Sequence, residues 1–423
     1  MIEDRYKTHL RRKRKAAAME RIMIENGFFA REANPESEAD RKLLSRAEPG
    51  QTVIYEEPDD AAKERIKLYM DEMAEAAYIV SRPKAFDPEL FRRYTALSAT
   101  LYVLTRWKML RPVGQITEDL MPMVREMKSL REKLVPLRDP EEGLWYIWGG
   151  QMPHQLTAGD TDWRMTFDGP DFRPFLIPYM LDDQSAVKGN IVVVSGGAYD
   201  WRSNHWEGYE AVHRFNDLGY NTFLLQRRVT PYVPLDGALD LQRSIRFLRA
   251  NAEKFGIAAT DRIAVNGYSG GGWCICDMLA NCRENTLPDA FYPEYEPDGT
   301  DRENGKAGAA LIIYGATGDL EVIDRMKENP SLPPIFMAVG QRDFIGIDKR
   351  CAELYLALSP LTSVDLHIFA ETGHGFGVGP SEDVSFAGAP VEGIMKNAAV
   401  WPDLADTFMK NVYGTEKRFI PKE

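Results

Sequence analysis

At 423 residues, with 44% apolar and 27% charged side chains, the chain has room for two or three units or for one large domain with an appendage; general disorder and fibrous or low-complexity classes are excluded. The formal net charge of −12, from 52 basic and 64 acidic residues, argues against a nucleic-acid partner. No window approaches the roughly 18 consecutive apolar residues of a membrane helix, so no membrane partner is expected.

The opening stretch, MIEDRYKTHLRRKRKAAAMERIM, lacks the apolar core of a secretory signal and points to a cytoplasmic protein. Its basic run from Arg11 to Lys15 reads as the solvated face of an opening helix, because acids lie close by. Residues 1–160 read as helical throughout, with stretches near 1–30, 60–80, 87–108 and 115–136 and with Pro83, Pro88, Pro112 and Pro136 at breaks or first turns. None of these helices carries a recognisable site, so the region is expected to be a cap or an oligomerisation element through which a homo-oligomer would form. It holds 27 basic and 27 acidic groups, which leaves 25 and 37 for residues 161–423; the whole charge imbalance belongs to that second domain.

From about residue 161 short β-branched runs alternate with helical segments, the pattern of a mainly parallel sheet with helices on both faces. WRMTFD from Trp163 and PFLIPYML from Pro174 are expected to form an antiparallel edge. The buried strands are NIVVVSGG from Asn190, NTFLLQRRV from Asn221, RIAVNGYS from Arg262, AALIIYGA from Ala309, PIFMAVG from Pro334 and VDLHIFAE from Val364. Between the second and third of these, Leu241, Ile245, Leu248, Ala252 and Phe255 define one apolar helix face, with Asp236 as expected N-cap and Gly256 as left-handed stop. Cys274, Cys276 and Cys282 crowd into one helix and Cys351 stands apart, a spacing that suits neither a disulfide nor a zinc or redox pair and that fits a reduced compartment.

Gly267-Tyr268-Ser269-Gly270-Gly271 fits G-x-S-x-G and falls where a strand ends and the helix GGWCICDMLA begins. That context is the nucleophile elbow, which lifts a serine hydroxyl out of the sheet and aims a helix N-terminus at developing negative charge. A serine needs a base, and His374 in ETGHGFG lies just past the last strand, where its loop can reach back; His205, in the loop after the first buried strand, is the rival. Asp343 in GQRDFIG is expected to fix the tautomer of that base, with Asp319, Glu321 and Asp348 as rivals nearer helices. The oxyanion donors are expected from the Gly197–Ala198 loop after the first buried strand and from the N–H of Gly270. Tyr199, Trp201, Trp206 and Tyr268 are candidates for contact with the substrate.

From about Gly189 to Tyr413 the chain resembles the α/β-hydrolase group of bacterial acetylxylan esterases and related feruloyl or carbohydrate esterases. The resemblance rests on VVSGGAYDWRS with the following Glu207-Gly208, LGYNTFLLQRRVTP, LRANAEKFGI, DRIAVNGYSGGG, PIFMAVGQRDFIG, VDLHIFAETGHGFG and Trp401-Pro402. It implies an α/β-hydrolase fold with Ser269 as nucleophile, Asp343 as acid, His374 as base and the loop at Gly197 and Ala198 with Gly270 as oxyanion hole, working without metal or organic cofactor. Gly270 and Trp273 stand where that group more often has Ala and His. The expected activity is cleavage of a short-acyl ester, such as an acetylated small carbohydrate. Alternatives are a carboxylesterase for hydrophobic or aromatic esters, a prolyl-oligopeptidase-like peptidase, and a non-catalytic binding protein.

Overall fold

The computed structural model describes residues 30–32, 34, 36–45, 53–55, scattered helical positions between 60 and 101, 120–134, 143–161, 166–343, 345–378 and 397–414; of 30–32, 43, 44, 53–55, 205 and 206 it describes the backbone alone. The chain divides into two compact units, one of Met1–Ile79, Ala85–Leu137 and Asp162–Phe167, the other of Val80–Lys84, Arg138–Thr161 and Asp168–Glu423.

In the first unit, strand β1 (Ala30–Glu32) pairs antiparallel with β2 (Val53–Tyr55), and helix α1 (Glu38–Leu44) lies between them in sequence. This small sheet departs from the wholly helical reading, because three-residue strands are too short to show alternation. Helix α2 (Met121–Leu134) buries Met121, Val124, Met127, Leu130 and Leu134, recurring at steps of three and four. Its Arg131 donates twice to the buried carboxylate of Glu72, at 2.9 and 2.8 Å. The basic run and the first expected helix lie outside the described residues.

The second unit is built on an eight-stranded sheet of order β10-β9-β8-β7-β5-β6-β4-β3. Its strands are β3 (Trp145–Tyr146), β4 (Phe175–Tyr179), β5 (Asn190–Val194), β6 (Asn221–Gln226), β7 (Ile263–Tyr268), β8 (Ala309–Ile313), β9 (Ile335–Gly340) and β10 (Val364–Phe369). The six apolar runs are parallel strands, and β5 to β9 are buried along their whole length. The antiparallel edge is β4 against β6 with β3 outside it. Of the expected edge segment WRMTFD, 163–165 lie outside the described residues and 166–168 form a bend; the outermost strand among the described residues is β3, a two-residue segment with no sequence periodicity to betray it.

The longer helices among the described residues of this unit are α3 (Glu210–Asp217), α4 (Pro234–Ala250), α5 (Gly270–Asn281), α6 (Leu320–Lys327), α7 (Ile347–Leu358) and α8 (Trp401–Gly414). Helix α4 starts at Pro234 after Val233, so Asp236 is not the N-cap; it sits one turn in and accepts from the Val233 N–H at 3.0 Å. Gly256, at φ 66°, does end the helical turn Ala252–Phe255. Arg228 after β6 is locked to Asp240 of α4 by contacts of 2.8–3.1 Å between fully buried groups, and Trp148 Nε1 donates to the same carboxylate at 2.7 Å.

The strand order reverses at β5, whose neighbours are β6 on one side and β7 on the other. In a doubly wound sheet this is where the loops at the carboxyl ends of adjacent strands part and leave a crevice. The order, the antiparallel first strands and the helices between parallel strands make the second unit an α/β-hydrolase fold.

Candidate active site

Ser269 follows β7 directly and has φ 49°, ψ −120°, a conformation that L residues rarely adopt and that puts the side chain at the apex of a sharp turn. The turn is held from below by the Ser269 N–H donating to the Ile313 carbonyl at 3.0 Å, and from above by Gly272 and Trp273, whose N–H groups donate to the Ser269 carbonyl. Ser269 Oγ lies 2.9 Å from His374 Nε2, and His374 Nδ1 lies 2.7 Å from Asp343 Oδ2. With Nδ1 protonated, the imidazole donates to the carboxylate and leaves Nε2 free to accept the serine proton.

Asp343 and His374 stand on loops after the neighbouring parallel strands β9 and β10. Those loops are tied together by Gln341 N–H to the Phe369 carbonyl and Arg342 N–H to the Thr372 carbonyl, both 2.9 Å. A Cβ on Gly340 would meet the Thr372 carbonyl oxygen at 2.2 Å, so the histidine loop runs against bare backbone there. The Asp343 carboxylate is buried, and its other oxygen accepts from the Ile345 N–H at 3.0 Å.

The loop after β5 meets the elbow at close range. A Cβ on Gly270 would fall 2.2 Å from the Ala198 carbonyl oxygen, and one on Gly196 would fall 2.9 Å from Ser269 Cβ. Gly197 has φ 103° and Ala198 φ 51°, so the chain turns back on itself above the start of α5. Glycine at position 270 therefore has a steric reason: the loop occupies the space that a methyl group would need. Of the first N–H groups of α5, those of Gly272 and Trp273 are taken by the Ser269 carbonyl, while helix geometry gives those of Gly270 and Gly271 no partner within the helix.

Of the other sequence candidates, Tyr199 is half-buried, its hydroxyl bonded to Asp277 Oδ2 and its ring 5.4 Å from the Arg227 guanidinium. Burial and the Asp277 charge push its phenol far above the usual range. Tyr268 is a correction. It is 0% exposed and packs on Tyr314 and Trp401, because every side chain of β7 is covered; it does not line the crevice. Trp201 is likewise buried, with its backbone and ring edge against Gly197, and shapes the loop from beneath. The side chains of Trp206 and His205 lie outside the described residues.

Asp319 caps α6, Glu321 pairs with Arg325 on its surface, and Asp348 belongs to the first turn of α7. His213 meets Tyr179 edge-on and His367 lies against Phe336. The four cysteines are free and buried, and burial pushes the thiols of Cys274, Cys276 and Cys282 up to about 12.

Sequence reasoning missed several residues around this site. Arg227, fully buried, donates to the Ala198 carbonyl at 2.8 Å. Glu207 accepts from the Gly196 N–H at 2.9 Å, and Tyr314 packs edge-on against His374 with ring centres 4.9 Å apart. Their partners lie 11 to 60 positions away, so no local pattern marks them.

Residues 179–367 match the BD-FAE family model. Endo-1,4-beta-xylanase B of Butyrivibrio fibrisolvens is 33% identical over 113 residues; that stretch is 26% of this chain, and it spans 17% of the length of the relative. Among solved structures, the acetyl ester-xyloside bifunctional hydrolase of Caldicellulosiruptor lactoaceticus is 22% identical, with 64% of this chain and 96% of that one covered and a TM-score of 0.48. The carboxylesterase Cest-2923 of Lactobacillus plantarum WCFS1 is 16% identical, with 57% and 94% covered and a TM-score of 0.46.

Proposed function

We infer that this chain, an α/β-hydrolase matched by BD-FAE over residues 179–367, is a carboxylic ester hydrolase that works through an acyl-enzyme on Ser269. The observation that carries the reading is the unbroken hydrogen-bond line from Ser269 Oγ through His374 to Asp343, at 2.9 and 2.7 Å, with the serine on a strained elbow. Ser269 Oγ attacks the ester carbonyl as His374 Nε2 takes its proton. His374 then returns that proton to the departing alcohol, and the buried Asp343 carboxylate stabilises the imidazolium between the two events. Water activated by the same nitrogen releases the acid and restores the serine. The backbone N–H groups of Ala198 and Gly270, with Gly197 shaping the turn, are assigned to the oxyanion, where each such donor is worth about 10²- to 10³-fold in rate.

The substrate class we assign is a short-acyl ester of a small carbohydrate. Support comes from the motif resemblance to carbohydrate esterases and from the acidic second domain, which disfavours polyanionic substrates. A series of p-nitrophenyl esters from acetate to octanoate, run beside acetylated xylo-oligosaccharides, tests it. A steep preference for acetyl and release of acetate from the sugar are expected; a preference rising with chain length overturns the short-acyl assignment in favour of a carboxylesterase for hydrophobic esters.

A further inference from the structure

Gly196 is sandwiched between the nucleophile and a buried acid. A Cβ there would meet Ser269 Cβ at 2.9 Å on one side and Glu207 Oε2 at 2.5 Å on the other. Glu207 comes from a single π-helical turn, His205–Tyr209, and is 3% exposed. Such turns insert one residue into a helix and re-aim the side chains around it, frequently at functional sites.

Two donors converge on this carboxylate: the Gly196 N–H on Oε2 at 2.9 Å and the Tyr314 hydroxyl on Oε1 at 3.1 Å. The Tyr314 oxygen in turn accepts from the Gly377 N–H at 3.1 Å, in the loop that carries His374, and the Gly377 carbonyl is held by Trp401 Nε1 at 2.7 Å. The Tyr314 ring also packs edge-on against the His374 imidazole and, at 4.6 Å, against Phe376. Tyr314 has φ 36°, uncommon for a residue with a side chain, and strain of this kind persists where surrounding contacts over-determine it. The buried Glu207 charge contributes, after burial itself, to holding the Tyr314 phenol well above its usual range, which keeps it a donor.

We propose that Glu207 and Tyr314 are positioning residues that couple the oxyanion loop to the histidine loop, so that the donors and the general base are set as one unit. The inference rests on the acyl-enzyme reading of Ser269. Both ends of the coupling have directional hydrogen bonds, and neither residue need touch substrate. A carboxylate can accept from both donors at once, whereas an amide at position 207 can accept at one end alone. The phenol is equally specific: phenylalanine keeps the ring against His374 but severs the link to Glu207 and leaves the Gly377 N–H without its acceptor.

The test measures kcat and KM for p-nitrophenyl acetate with the wild type, Tyr314→Phe, Glu207→Gln, the double variant and Ser269→Ala, each checked for native melting. Tyr314→Phe and Glu207→Gln should each lower kcat by about 10- to 100-fold through misplacement of the catalytic groups. KM should stay within about threefold. The double variant should be no slower than the worse single one, because both changes cut the same link. A folded Tyr314→Phe with wild-type kcat, a change confined to KM, or losses that multiply in the double variant would overturn the coupling. Should Glu207→Gln not fold, Tyr314→Phe alone decides through its kcat. Ser269→Ala separates the two claims: a dead Ser269→Ala beside an unaffected Tyr314→Phe sinks the coupling alone, whereas an active Ser269→Ala removes the reading beneath it.

Discussion

A non-glycine residue held at φ 49°, ψ −120° costs of order 1–3 kcal/mol, and Ser269 retains it because glycines on either side let the neighbouring backbone close in. The closeness gives a prediction. Gly270→Ala places a methyl group 2.2 Å from the Ala198 carbonyl oxygen and must displace the loop assigned to the oxyanion, so kcat for p-nitrophenyl acetate should fall about 10- to 100-fold while the fold survives. Unchanged kcat in this variant would remove Ala198 from the oxyanion assignment. At this scale the sequence was legible where chemistry demands a residue type at a strand end: Ser269, Asp343 and His374 each follow a parallel strand, and the structure brings them within hydrogen-bond reach. It was illegible where the direction of a side chain decides. Tyr268 precedes the nucleophile but faces the core, and Trp201 lies three residues beyond Ala198 yet is covered. Glu207 is marked in the sequence only as part of the resembling stretch, and its role stays hidden there because its partners, the Gly196 N–H and the Tyr314 hydroxyl, are set by the fold.

At the scale of elements, the six parallel strands were readable because continuous apolar runs bounded by glycine and polar residues have few other uses in a chain of this composition. β3 and the β1–β2 pair were not, because two- and three-residue strands exist through their partners and not through any pattern of their own. The contacts that fasten helices to the sheet are equally hidden. Asp406 on α8 accepts from Lys188 at 3.0 Å, Tyr220 at 2.9 Å and Lys410 at 2.6 Å. Burial alone would raise this carboxyl, but the hydrogen bonds and the Lys188 charge outweigh it and hold it below the ordinary carboxylate range. A depressed folded value stabilises above the unfolded value of about 4 and loses that contribution as pH falls through and below it. Asp406→Asn should therefore cost about 1–3 kcal/mol at neutral pH, and its deficit against wild type should shrink in melts taken toward about pH 3. A deficit independent of pH would contradict the ionic account. Asp240→Asn removes the closer charge from the buried Arg228 guanidinium and leaves it the Asp236 carboxylate at 3.5 Å, so it should destabilise by about 3–5 kcal/mol, read as a shifted denaturation midpoint with an unchanged slope; a shift under about 1 kcal/mol would mean that the pair is dispensable to the β6–α4 junction.

For the whole molecule, composition separates charge-balanced residues 1–160 from an acidic remainder, and the structure places Arg138–Thr161 in the unit that carries the large sheet. Among the described residues no helix is long and apolar enough to cross a membrane. We propose that the N-terminal region serves as a cap or an oligomerisation element. Removal of residues 1–137 should then alter acyl preference or the mass measured by light scattering, and an unchanged value of both would exclude the two roles together. The central claim, that Ser269 is the nucleophile of an ester hydrolase, is tested most directly by the turnover of p-nitrophenyl acetate by purified Ser269→Ala beside wild type, at matched melting temperature. The account predicts hydrolysis by the wild type and a loss of at least about 10⁴-fold in the variant; wild-type turnover by the folded variant would contradict it.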